Sequence, residues 1–126
     1  MPAELPKRMK LRRPARLRQR RDFIRVRQQG HRLALGCLIA NWRVMPEGAA
    51  PRLGVVTSRK IGGAVIRSRA RRLLRESFRQ HQNDLVQPVE LVLVARDSIV
   101  RKSFAGVEKD FLAALRRAGL LRLTHS

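Results

Sequence analysis

Apolar positions recur at helical spacing in three stretches of the chain and cluster in short β-rich runs between them, a pattern that predicts a mixed protein. The longest periodic stretch is 64–81. There Ile66, Ala70, Leu73, Leu74, Ser77 and Phe78 share one helical face, while arginines spread over the rest of the circumference. A shorter helix is predicted over 21–29, where Phe23, Ile24 and Val26 sit among charged residues and Gly30 follows as a C-terminal cap. A last helix begins near Ser103. It repeats Phe104, Val107, Phe111, Leu112 and Leu115, then carries Arg116 and Arg117 at its negative end, with Gly119 beyond.

The apolar run 33–44 reads as a strand or a bent pair of strands, and the loop MPEGAAP (45–51) follows it. RLGVVTS (52–58) and VELVLVA (89–95) have the β-branched enrichment of strands belonging to one sheet. The order is helix, strands, helix, strand, helix. A chain of 126 residues suits a single domain, placed at 16–122. Residues 1–15, rich in proline and basic side chains without apolar periodicity, are expected to form a flexible basic arm, and 123–126 a tail.

Charge narrows the function. Lys and Arg total 29 against 9 Asp and Glu, a formal charge of +20, which is the footprint of a nucleic-acid binder and would repel itself in a compact state without a polyanion. The excess of Arg over Lys suits the bidentate recognition of phosphate, although genomic codon bias produces the same excess. The longest uncharged run, 33–42, is far short of the roughly 20 residues of a membrane span, so no membrane partner is expected. No apolar segment follows the basic N-terminus in the manner of a signal peptide, which predicts a cytoplasmic protein. Cys37, the single cysteine, reads as a small buried side chain.

Little in the sequence offers catalysis or metal binding by the chain itself. His31, His81 and His125 fall in separate elements, and Glu108 and Asp110 point in different directions on one helix. One cysteine and three dispersed histidines supply no paired ligand spacing, so no catalytic residue and no metal ligand is expected. Six arginines within 67–79, balanced only by Glu76, crowd like charges on one helix and point to an anionic ligand over a merely solvated face. Gly62 and Gly63 precede that helix beside Arg59 and Lys60, where backbone N–H groups can bind phosphate or where the glycines serve only the turn. Phe23 is open to two readings, core packing or a platform for base stacking, and the two can coexist.

The segment RLGVVTSRKIGGAVIRSRARRLLRESF (52–78) closely resembles the signature region of the bacterial ribonuclease P protein family, in which a strand ending in Ser, a basic pair, Ile-Gly and an Arg-Asn-Arg helix follow in this order. RLRQRRDFIRVRQQG (16–30), VELVLVARDS and the final helix extend the resemblance over nearly the whole chain. Two positions depart from it. Ser68 stands where the family has the middle Asn, and Arg27 where many relatives carry a second aromatic.

The resemblance implies an α+β fold: a single-domain α/β sandwich with a central, mainly antiparallel four-stranded sheet, three helices and a left-handed βαβ crossover, as in the second domain of ribosomal protein S5. It further implies that Arg59, Lys60, Arg67, Ser68, Arg69, Arg71, Arg72 and Arg75 face a catalytic RNA subunit. Arg16, Arg18, Phe23 and Arg27 would then line a cleft for the single-stranded 5′ leader of precursor tRNA. The implied partners are ribonuclease P RNA, one protein per RNA, and precursor tRNA, with Mg²⁺ held mainly by RNA and substrate phosphates. The protein would be the non-catalytic component of an RNA-based endoribonuclease. The alternative is a ribosomal or ribosome-associated RNA-binding protein without an enzymatic role.

Overall fold

A computed structural model describes residues 16–17 and 19–122; the expected arm at 1–15, Arg18 and the tail at 123–126 lie outside the described residues. The elements follow in the order α1 (Arg20–Gln29), β1 (His31–Leu35), β2 (Leu38–Val44), β3 (Arg52–Val56), α2 (Ala64–His81), β4 (Val89–Ala95) and α3 (Phe104–Arg117). The run 33–44 therefore belongs to a hairpin, turned at Gly36, whose φ of 59° suits glycine. The strand expected at 52–58 ends at Val56, and Ser58 instead accepts a hydrogen bond from the Lys60 N–H in a short 3₁₀ turn at Arg59–Ile61.

The four strands lie in the order β1-β2-β4-β3. β1–β2 and β2–β4 are antiparallel, and β3 pairs parallel with β4, the two being joined through α2. Alternation along β4 decides what each face touches. Leu91 and Leu93 belong to the main core, together with Leu74 and Phe78 of α2 and Phe111 and Leu115 of α3. Glu90, Val92 and Val94 face the opposite side of the sheet. There Val92 packs with Leu17 and Val26, and Phe23, Val56 and Val94 close around them half-buried. α1 thus covers only part of this second face.

Two glycines predicted to end helices do so for different reasons. Gly119, at φ 75°, completes a left-handed cap in which its N–H donates to the Arg116 carbonyl and the Leu120 N–H to that of Leu115. Gly30 is extended instead (φ −115°), so it is no left-handed cap. It is needed because a Cβ there would collide with the Trp42 carbonyl oxygen as α1 turns into the sheet.

Candidate nucleic-acid interface

The arginines of α2 differ from three near α1 and the sheet, and two buried acids make the difference. Glu90 is only 1% exposed. Its carboxylate accepts from Arg25 at 3.0 and 2.6 Å, from Arg43 at 3.2 Å and from Arg52 at 3.4 Å. Buried Asp22 forms a second ion pair with Arg25 at 3.0 Å. These hydrogen bonds, led by the one to Glu90, outweigh desolvation and raise the Arg25 pKa, so its charge is held in place. Arg25, Arg43 and Arg52 therefore serve the join between α1 and the sheet. Sequence reasoning did not single them out; the signal was a lone Glu inside the apolar strand VELVLVA.

On α2 the arrangement is the reverse. Among the described residues, Arg67, Arg69, Arg71, Arg72 and Arg75 have no acidic partner, and only Arg79 is paired, with Glu76 at 2.9 Å. Arg69 donates to the Lys102 carbonyl at 2.7 Å, and Arg71 to the Thr57 hydroxyl at 2.8 Å and the Ser68 hydroxyl at 3.2 Å. Those neutral partners orient the guanidinium groups without cancelling their charge. Ser68, Arg69 and Arg72 also line a shallow hollow of about 350 Å³ with Ala64 and Val65. Arg59 and Lys60 are exposed on the turn before it. Gly63, the N-cap of α2, supplies no side-chain acceptor to the first turn.

Phe23 is half-buried, packed on one side and open on the other. One side packs against the Leu17, Val26 and Val92 cluster, and the ring lies over Gly54, where a Cβ would collide with it. The ring also lines an open cavity of about 290 Å³ with Arg16, Leu17, Leu53, Val55 and Arg75. Arg27 is exposed one helical turn after Phe23, on the same side of α1. The resemblance assigned Arg16 to one surface and Arg75 to another, yet these two arginines share this cavity. The cause is topological: β3 is one of the two edge strands, and the segment at 16–17 pairs along it, with the Leu17 N–H donating to the Leu53 carbonyl at 2.7 Å.

The fold also gathers titratable groups that lie far apart in the sequence. His81 Nε2 lies 2.7 Å from Glu108 and its Nδ1 lies 3.4 Å from Asp84, which ties the end of α2 to α3. This cluster sits at the opposite end of α2 from Arg67. Asp110 meets Lys102 at 3.1 Å and accepts the Cys37 N–H at 2.9 Å. Burial, then the Asp110 carboxylate, pushes the Cys37 thiol up to about 12, so it is no nucleophile at neutral pH. Among the described residues no group of three His, Cys, Asp or Glu side chains stands close enough to hold a metal ion.

Comparison with known proteins agrees with this geometry. The sequence profile of the Ribonuclease P family matches residues 11–119. The chain is 40% identical over 106 residues to the ribonuclease P protein component of Syntrophomonas wolfei, covering 84% of this chain and 88% of that protein. It is 32% identical to the ribonuclease P protein component of Gluconacetobacter diazotrophicus, over 83% of this chain and 91% of the relative. The solved structure of the RNase P protein from Thermotoga maritima superposes with a TM-score of 0.71 at 31% identity, covering 81% of this chain and 96% of that one. A Staphylococcus aureus RNase P protein gives a TM-score of 0.78 at 24% identity, over 86% and 98% of the two chains, and speaks for the fold. The chain belongs to the ribonuclease P protein family.

Proposed function

We propose that this chain is the RNA-binding subunit of a cytoplasmic ribonuclease P particle, one protein per RNA, that removes the 5′ leader of precursor tRNA. The observation that carries this reading is the unneutralised arginine face of α2 running into a cavity walled by Phe23. The α2 face, with Arg59 and Lys60, binds the RNA subunit. Phe23, Arg16 and Arg27 hold the leader, with Arg18 beside them in sequence.

Among the described residues no three His, Cys, Asp or Glu side chains gather to hold a metal ion, and in this reading Mg²⁺ would be held mainly by RNA and substrate phosphates. When bound there, Mg²⁺ stabilises charge on the reacting oxygens. The protein's own share is electrostatic and positional: it neutralises phosphates, favours folded RNA at physiological salt, and makes precursor bind better than mature tRNA.

The test is precursor cleavage by a bacterial ribonuclease P RNA at low Mg²⁺, with and without the protein, beside a protein-only control. Activity that needs both components supports the reading. No stimulation, together with tight binding to ribosomal RNA, would favour the ribosomal alternative.

A further inference from the structure

We propose that Thr57 is a positioning residue for RNA-subunit binding: its hydroxyl, with that of Ser68, holds the Arg71 guanidinium in one orientation, and Ser68 acts through Arg71 instead of meeting RNA itself. This deepens the RNA-binding reading above and rests on it. It gives Ser68 a task inside the protein, where the resemblance assigns it to the RNA-facing side.

The grip comes from two elements. Arg71 Nη1 donates to the Thr57 hydroxyl oxygen at 2.8 Å, and Nη2 to the Ser68 hydroxyl oxygen at 3.2 Å. Ser68 lies one helical turn before Arg71 on α2, whereas Thr57 follows the end of β3, 14 residues away from Arg71. α2 runs back along β3, which brings Arg71 opposite Thr57 and sends Arg75, one turn later, to Leu53 and Val55. A guanidinium fastened through both Nη atoms to separate elements loses the rotational freedom that an arginine keeps on an open helix face.

The chemistry of the acceptors shows what this ordering serves. A carboxylate in either place would cancel the charge, as Glu76 does for Arg79, but hydroxyls leave it whole. One hydrogen on each Nη is used, so the Nε–H and the second hydrogen on each Nη remain for phosphate oxygens. Arg71 also stands among like charges: burial first, then the charges of Arg16 and Arg71, lower the Arg75 pKa. The two hydroxyls hold Arg71 against that repulsion. An arginine ordered in advance binds phosphate without the entropy loss of immobilising a long side chain, which is worth about three- to tenfold in affinity.

The test is a titration of the full-length protein with a bacterial ribonuclease P RNA at one fixed salt concentration. Thr57→Val keeps the shape of the side chain and removes the acceptor, and it should weaken binding about three- to tenfold. Thr57→Ser restores the hydroxyl and should stay within about twofold of the wild type. Ser68→Ala should cost less than Thr57→Val, since its bond is the longer one. With Arg71→Met in the background, neither Thr57→Val nor Ser68→Ala should weaken binding by more than about a further twofold. In the protein without RNA, nuclear relaxation of the Arg71 Nε–H should report a rigid group in the wild type and in Thr57→Ser, and a mobile one in Thr57→Val.

The positioning role of Thr57 is overturned if Thr57→Val costs the same factor with and without the Arg71 guanidinium, if Thr57→Ser fails to rescue, or if the Nε–H stays rigid in Thr57→Val. A Ser68→Ala loss that persists beside Arg71→Met would put Ser68 on the RNA and overturn its half. Should Thr57→Val lower the melting temperature enough to disturb the fold, the exposed Ser68→Ala carries the same cycle. A wild type that does not bind ribonuclease P RNA overturns the functional reading and takes this inference with it. A wild type that binds while the losses add overturns the positioning role alone.

Discussion

Arg25 reaches the Glu90 carboxylate with two nitrogens, Nε at 3.0 Å and Nη2 at 2.6 Å, although the two residues lie 65 positions apart. This pair, with Arg43 and Arg52 on the same carboxylate, fastens α1 across β2, β3 and β4. The orientation of α1 in turn sets where Phe23 stands over Gly54.

Removing the acid should therefore cost far more than a surface ion pair. Glu90→Ala removes the buried carboxylate that three guanidinium groups share, leaving Asp22 to Arg25 and Arg52 and no acid to Arg43 among the described residues, and the expected loss is about 3–5 kcal/mol. Urea unfolding monitored by circular dichroism checks it; a loss below about 1 kcal/mol would show that the cluster contributes no more than a surface pair.

Phe23→Ala should weaken precursor binding by about 1–3 kcal/mol relative to mature tRNA, because only precursor carries a leader to stack. Gly54→Val should act in the same direction by pushing the ring off β3. Filter binding of both RNAs to the reconstituted particle measures the ratio, and equal losses would leave the ring a packing role only.

Changing Arg67, Arg69 and Arg72 together to Ala should reduce affinity for the RNA subunit and flatten its log-log salt dependence by up to about three units. None of the three has an acidic partner among the described residues, so their charge is available to RNA. A titration series from low to physiological salt reads the slope, and an unchanged slope would exclude this face.

Acid should destabilise the protein partly through Asp110. Burial pushes its carboxyl up, but the Cys37 N–H and Lys102 outweigh that, and the net pKa lies below the ordinary value. A depressed folded pKa contributes stability that is full above the unfolded pKa and is lost as pH falls through the folded one. Unfolding free energy should thus decline below about pH 4. Asp110→Ala should lower stability at pH 7 by about 1–3 kcal/mol and shallow that decline; an unchanged acid limb would remove Asp110 from the account.

Much of the fold was legible because periodicity reports which side of an element is buried. Ile66 aside, the apolar face predicted for α2 is the buried one: Ala70, Leu73, Leu74, Ser77 and Phe78. Edges were less legible. The strand predicted at 52–58 stops two residues early because the Ser58 side chain caps the next turn. Gly30 was rightly placed but for the wrong reason, since its role depends on the Trp42 carbonyl, which local sequence cannot reveal.

Element order, the single domain, a polyanionic class of partner and the family resemblance all follow from composition, spacing or motif, so the chain could be read for them directly. Which arginines remain unneutralised could not be read that way. Charge counts treat Arg25 and Arg75 alike, but folding carries Glu90 to the first and leaves the second beside Arg16 at the edge of β3. Electrostatic energy depends on distance and burial between residues far apart in sequence, and those are settled when the sheet assembles.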